Sequence, residues 1–329
     1  MVSDIAAIVH GRGDVAFHPL IRLDGWIGGG YICGVKIDRH FSAGRPTVSF
    51  EFFPPKTDAG FDKLFETIAA LRPLNPSFVD VTYGAGGSTR EKTLELTGRI
   101  RRETDLDVMA HLTCVGHSAE EVGGILDQLW DQGVHNVLAL RGDPPAGGSW
   151  EKAEGGFEYA GEMVKYVANR HDFFVAVAGF PEGHPQCLNR TRDLEHLKAK
   201  VDAGASAIIT QLFFDNSDLL RFRDECRRMG IDVPIVAGIM PIQKLDQIKR
   251  FVTMCGAKIP HPLLTALEKL EGDAEAVEKA GVDYATRQCQ DLVFHGVDGL
   301  HFYTLNKSGA TVEIFKNLTL PEPKQQAAA

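Results

Sequence analysis

Val48-Ser-Phe-Glu-Phe-Phe-Pro-Pro55 reads as a β-strand stopped by two prolines, with a single carboxylate, Glu51, among three phenylalanines. Valine and phenylalanine favour the pleat, and proline ends it because it has no N–H for the ladder. A charge in such a run is costly unless something uses it. The stretch also opens a rhythm. Strand-like runs lie at about 47–53, 77–83, 107–113, 136–141, 173–180, 206–213, 233–239 and 299–305. Between them apolar residues recur at helical spacing, as in Val122, Ile125 and Leu129, or Leu219, Phe222 and Cys226, or Leu245, Ile248 and Val252. Gly133, Gly204, Gly230 and Gly256 stand where a helix gives way to the next strand, the left-handed C-cap position. An extra helical stretch at about 261–297 precedes the last strand, and a short helix at about 309–318 follows it.

Eight strand–helix units in about 275 residues predict an α/β fold, a (βα)8 TIM barrel with a helical insertion before its last strand. The strands are rich in Val, Ile, Phe and Ala, as strands covered on both faces should be. An open doubly wound sheet is the competitor, but no G-x-G-x-x-G follows the first strand. Gly84-Ala-Gly-Gly-Ser88 is a glycine-rich loop that would admit a phosphate or ring, or simply turn the chain. Residues 1–40 show no steady period and are expected to be a poorly ordered extension; 41–320 form the barrel, and 321–329 a disordered tail.

The 329 residues are 44% hydrophobic and 24% charged, ordinary for a folded domain. A net charge of -9 argues against a nucleic-acid partner. There is no membrane-length apolar run, no secretory leader and no C-x-x-C among six widely spaced cysteines, so reduced thiols in a cytoplasmic protein are expected.

A barrel of this kind carries its chemistry at the C-terminal strand ends. Those ends hold Glu51, Thr82-Tyr83-Gly84-Ala85, His111-Leu-Thr113, Arg141-Gly-Asp143, Phe180-Pro-Glu182-Gly-His184, Gln211 and Tyr303-Thr-Leu-Asn306-Lys307. Converging there, they would form a polar pocket. Each has a plainer reading. Glu51 would be a buried partner of Arg141, Arg141 and Asp143 a pair across a turn, and His111 and His184 core histidines. Gln211 would be a structural hydrogen-bonder, and Asp193, His196 and Lys200 one solvated helix face. Residue types alone give a polar-mouthed barrel, and an enzyme, without a reaction.

The motifs go further. Ser49-Phe-Glu-Phe-Phe-Pro-Pro55, Val81-Thr-Tyr-Gly-Ala85, His111-Leu-Thr-Cys114, Ala139-Leu-Arg-Gly-Asp143, Pro181-Glu-Gly-His-Pro185, Lys200-Val-Asp-Ala-Gly204, Ile209-Thr-Gln-Leu-Phe-Phe214 and His301-Phe-Tyr-Thr-Leu-Asn306 span about residues 36 to 318. In this order and spacing they resemble the methylenetetrahydrofolate reductase family, in its bacterial-type form of a catalytic barrel alone. The resemblance implies an FAD-binding barrel with ping-pong chemistry. NAD(P)H reduces the flavin and leaves; methylenetetrahydrofolate then takes its place, opens to an iminium, and receives a hydride to become 5-methyltetrahydrofolate. It also implies a homo-oligomer.

Carried onto this sequence, the resemblance makes Glu51 the general acid for ring opening. Neighbouring Phe50, Phe52 and Phe53 would favour the protonated carboxyl, although alternate strand residues point away. Asp143 would lie near flavin and pterin, stabilising the cationic iminium. FAD would meet Thr82, Tyr83, Ala85, His111, Arg141, Gly142, Asp143, Tyr159, Ala160, Phe180, His184, Asp193, His196 and Lys200, with Arg141 and Lys200 as cations near the pyrophosphate or ribose. Folate would meet Gln211, Gln247, Phe251 and Lys307. There are departures: Phe180 stands for a tyrosine of some members, His196 for an asparagine, Ala199 for an arginine and Lys307 for an arginine, and lysine lacks the bidentate fork. No regulatory domain like that of eukaryotic members is expected after the barrel. Residues 1–34 precede the point, Val35-Lys-Ile37, where members often begin, and are expected to be an upstream extension.

Two rivals remain. One is a metal-dependent barrel hydrolase or lyase using Glu51, His111, Glu182 and His184 as ligands. The other is a non-catalytic flavoprotein subunit, against which Glu51, Asp143 and Gln211 together argue.

Overall fold

Alternation along the first strand decides which way Glu51 faces. In the computed structural model, which describes residues 36–84, 90–144 and 148–322, β1 (Thr47–Phe52) turns Val48, Phe50 and Phe52 outward into the main apolar core. Ser49 and Glu51 therefore point into the barrel. Phe50 packs on Phe302 and Phe315, and burying such a ring fully contributes about 1.5–3 kcal/mol.

The remaining strands are β2 (Phe78–Val81), β3 (Val108–Thr113), β4 (Asn136–Leu140), β5 (Phe174–Gly179), β6 (Ala207–Thr210), β7 (Ile235–Ile239) and β8 (Gly299–Tyr303). All pair in parallel in chain order, and β8 returns to β1, closing an eight-stranded TIM barrel as the alternation predicts. The outer layer includes α2 (Asp58–Leu71), α3 (Arg90–Glu103), α4 (Ala119–Asp131), α5 (Ala160–Ala168), α6 (Arg190–Asp202), α7 (Asn216–Arg228), α8 (Leu245–Cys255) and α11 (Gly309–Asn317). A four-residue α1 (Asp38–Phe41) precedes β1, and α9 (His261–Glu268) and α10 (Ala274–Phe294) form the insertion before β8. The helix starts are written locally. Thr57, Ser118, Asn189, Asp215 and Asp273 each accept a backbone N–H of the first turn, and Ser118 with Glu121 makes a reciprocal capping box. The four expected C-cap glycines all take positive φ.

The barrel interior is divided by height. Its lower half is apolar, with Phe78, Met109, Leu138, Phe174, Ile209 and Val236 around Ile37. This corrects the expected boundary near residue 40. Ile37 is fully buried and donates its N–H to Asn136 Oδ1 at 3.0 Å, while Arg39 and His40 both bind Asp107. Those two partners hold the Asp107 carboxyl below its ordinary range against the burial that would raise it. Residues 36–41 thus close the barrel floor; the period was too short to read. Residues 1–35, Ala85 in the glycine-rich loop, and the tail from 323 lie outside the described residues. Among the described residues, no helix is long and apolar enough to cross a membrane.

Candidate active site

With the floor filled, polar side chains collect above it. β1 pairs Glu51 with Asp80 of β2 on one side and with Tyr303 of β8 on the other, and Ser49 with His301. His111 enters from β3. Asp80 is fully buried, and its Oδ2 accepts from His111 Nε2 at 2.8 Å. His301 Nε2 lies 3.7 Å from both Asp80 Oδ2 and Glu51 Oε2, and His111 Nε2 lies 3.9 Å from Glu51 Oε2. Ser49 Oγ meets His301 Nδ1 at 2.9 Å. Two carboxylates and two imidazoles so interleave in the barrel mouth. Burial alone would lower the affinity of His301 for a proton, but Asp80 and Glu51 outweigh it and hold it above the usual histidine range. Tyr303 is pushed up chiefly by burial, and spends its hydroxyl on the Thr210 carbonyl at 2.7 Å.

The phenylalanines that suggested an apolar setting for Glu51 do not supply one. Phe50 and Phe52 face the helices, and Phe53 is 44% exposed. The surroundings of Glu51 are polar, made by Asp80 and His301, which an apolar reading of Phe78-Val-Asp-Val81 and of strand 8 did not single out. The inward alternation of Asp80 was the available signal.

Glu51 is not the partner of Arg141. The Arg141 guanidinium stacks on Trp150 at 4.1 Å, lies 5.9 Å from the Tyr159 ring, and donates to Gln186 Oε1 at 2.8 Å. Its buried Nε has no partner among the described residues. Asp143 is exposed and forms no ion pair with Arg141. Gln186 in turn donates its N–H to His184 Nδ1, and the His184 N–H reaches Asp193 Oδ2 at 3.2 Å. Burial pushes His184 down, and the charges of Asp193, Lys200, Arg141 and Asp143 all act on it. Strand 4, strand 5 and α6 thereby deliver their polar groups to one margin.

The α6 trio divides. Asp193 and Lys200 turn inward and His196 is exposed. Lys200 Nζ donates to the Ala178 carbonyl at 2.7 Å, and burial lowers the amine to about 8. Ala160 begins α5 behind the exposed Tyr159. Phe180 packs edge-on to His184 at 4.5 Å and shares a cleft with Gln211 and Cys255. Gln211 Oε1 turns back onto the Leu212 N–H at 2.9 Å. Gln247 and Phe251, one turn apart on α8, are half-buried, and Phe251 packs against the cluster that also holds Tyr303. Lys307 Nζ donates to Gln243 Oε1 at 3.2 Å. Thr82 accepts from Thr93 through its carbonyl, and Tyr83 hydroxyl meets His117 Nε2 at 3.0 Å. Gly142 takes φ +83°, and a Cβ there would lie 2.6 Å from Val115 Cγ1.

Asn306, which the strand 8 end placed at the rim, latches it. Held at φ 55°, it clasps Phe53 through both N–H and carbonyl at 3.0 and 2.8 Å. The proposed metal ligands do not assemble: Glu182 is tied to the Lys258 backbone and ammonium, and among the described residues Glu51, His111, Glu182 and His184 form no ligand group.

A closed parallel barrel with acid–imidazole groups in its mouth and a cationic margin beside them defines a TIM-barrel protein of enzyme type. The particular family follows from comparison. The family model for methylenetetrahydrofolate reductase matches residues 36–319. The chain is 41% identical over 297 residues to "Methylenetetrahydrofolate reductase (NADH) 1" of Arabidopsis thaliana, covering 87% of this chain and 50% of that protein. It is 40% identical over 276 residues to "5,10-methylenetetrahydrofolate reductase" of Salmonella typhimurium, covering 84% of this chain and 91% of that one. This chain belongs to the methylenetetrahydrofolate reductase family. It spans about half the length of the plant relatives it matches. A solved structure from Clostridium thermocellum, described as binding two copies of 5-methyl-5,6,7,8-tetrahydrofolic acid, shares the fold with TM-score 0.57 at 12% identity, over 83% of this chain and 94% of that one.

Proposed function

We propose that this chain reduces 5,10-methylenetetrahydrofolate to 5-methyltetrahydrofolate, with NADH as reductant, FAD as bound carrier, and the two substrates using one site in turn. The observation that carries this reading is Glu51, set inside the barrel mouth beside two imidazoles rather than spent on an arginine. The NADH assignment follows the name of the plant relative. The balance is one NADH, one proton and one methylenetetrahydrofolate giving NAD+ and 5-methyltetrahydrofolate.

The donor set at the margin suits FAD. Arg141 has an unpaired buried Nε, Lys200 presents a half-buried ammonium, and Tyr159 offers an exposed ring. Arg141 and Lys200 would take the pyrophosphate or ribose region, with Thr82, Tyr83, Gly142, Asp143, Ala160, Phe180, His184, Asp193 and His196 around the cofactor. When bound, FAD would accept a hydride from NADH and supply it to the folate carbon. The protein's part is acid–base and electrostatic. Glu51 would give its proton to the leaving nitrogen, directly or through one water, as the C–N bond of the five-membered ring breaks. Asp143 would stabilise the iminium cation with its charge. Gln211 and Gln247 would hydrogen-bond the pterin, Phe251 would cover it, and Lys307 would meet folate carboxylate.

Cys114, Cys187, Cys226, Cys255 and Cys289 are free thiols, which supports a cytoplasmic setting. Homo-oligomerisation is carried by the family resemblance and is read by light scattering. The test of the activity is product analysis: purified chain with FAD, NADH and methylenetetrahydrofolate should yield 5-methyltetrahydrofolate and NAD+ in equal amounts. NADH consumption without methylated folate would refute it.

A further inference from the structure

Asp80 has a place in the site that its strand sequence did not announce. Its carboxylate is fully buried, yet only Oδ2 is engaged; Oδ1 has no partner, nor does His301 Nε2, among the described residues. A buried network serving the fold alone has its polar atoms satisfied. This one keeps unspent capacity on the side of Glu51. Ligand atoms of Glu51, Asp80 and His301 all lie within 4.8 Å of one another. Both carboxylates face the same two Nε2 atoms, Asp80 Oδ2 at 2.8 and 3.7 Å, Glu51 Oε2 at 3.9 and 3.7 Å. Glu51, with 19% of its side chain exposed, opens toward the mouth; Asp80, with none, lies behind it.

We propose that Asp80 is a positioning residue for folate reduction, holding the His111 and His301 imidazoles against Glu51 and setting how firmly Glu51 keeps its proton. The proposal rests on the reading of Glu51 as proton donor. The two imidazoles stand between the carboxylates, so a charge on Asp80 acts across them on the proton that Glu51 transfers. The groups facing Glu51 are Ser49 on its own strand, Asp80 from β2, His111 from β3, and His301 and Tyr303 from β8, with Cys255 of α8 acting on Tyr303. Tyr303 stays protonated and bound to Thr210, so the adjustable charges are the two carboxylates and two imidazoles.

The test is Asp80→Asn, which keeps shape and removes charge, read in two ways. In the flavin-free chain, 15N imidazole resonances should show His301, assigned by its loss in His301→Gln, titrating at a lower pH by about one unit. In the FAD-loaded protein, reoxidation by methylenetetrahydrofolate should lose its proton-dependent rate at a lower pH, so that it is about tenfold slower at neutral pH and recovers on acidification. Reduction by NADH should not change. His301→Gln, which removes a cation, should move the folate profile the other way, and it carries the test if Asp80→Asn does not fold. Equal slowing of both half-reactions at every pH, or unmoved profiles in both variants, would overturn the role of Asp80. Wild-type protein that methylenetetrahydrofolate cannot reoxidise would instead refute the proposed activity, and an unmoved His301 titration would still overturn the coupling.

Discussion

Replacing Glu51 by glutamine separates chemistry from architecture. The Glu51 carboxylate lies 3.7 and 3.9 Å from the imidazole nitrogens of His301 and His111, beyond ordinary hydrogen-bond length. An isosteric amide therefore breaks no bond that the fold depends on, and stability should move by no more than about 0.5–1 kcal/mol. The amide cannot donate as an acid. Loss of a positioned general acid slows a step by about 10²–10⁴-fold, or about 2.7–5.4 kcal/mol of barrier. The assay is stopped-flow absorbance of the FAD-loaded variant, each half-reaction followed alone, with urea unfolding as the control. Folate-driven reoxidation should fall by that factor while NADH-driven reduction stays within about threefold. An equal loss in both half-reactions, or a folate rate within about tenfold of wild type, would rule out Glu51 as the general acid.

Further outcomes follow from Gly142 and Lys200 at the margin. Gly142→Ala forces a Cβ to 2.6 Å from Val115 Cγ1 and 2.8 Å from Thr113 Cβ at φ +83°. Left-handed strain and overpacking together should cost about 2–5 kcal/mol in urea unfolding of the flavin-free chain. Lys200 is lowered by burial to about 8 from 10.5, so the unfolded chain binds its proton more tightly. Between those values the flavin-free chain should gain stability as pH rises, while FAD affinity, measured by fluorescence quenching, should fall from about pH 8 upward as the ammonium is lost. Lys200→Met should bind FAD more weakly at neutral pH and flatten that dependence.

The barrel was legible because each layer left its own period. Strands such as Val108–Thr113 are buried on both faces and carry an apolar outer face, and glycines such as Gly133 and Gly230 punctuate the helices at positive φ. What composition and period could not give was who meets whom inside the closed sheet. Asp80 reads as an interruption of an apolar strand until closure sets it beside Glu51, 29 positions away in sequence but adjacent in register. His301 and Ser49 meet across 252 positions through β8–β1 pairing. Arg141 offered two carboxylate partners on paper, and the fold gave it Trp150 and Gln186. Ile37 showed no period because a single residue plugs the floor. The motifs named the family, while the physical setting of Glu51 emerges only when the barrel closes: it is acid and imidazole, not phenylalanine.

An absorption spectrum of the purified chain, reconstituted with FAD and titrated anaerobically, shows whether one flavin serves both substrates in turn. The flavin band should bleach on adding NADH and return on adding methylenetetrahydrofolate, each substrate acting without the other present. A chain that takes up no FAD, or a bleached band that the folate leaves unchanged, would rule out flavin-mediated folate reduction by this chain.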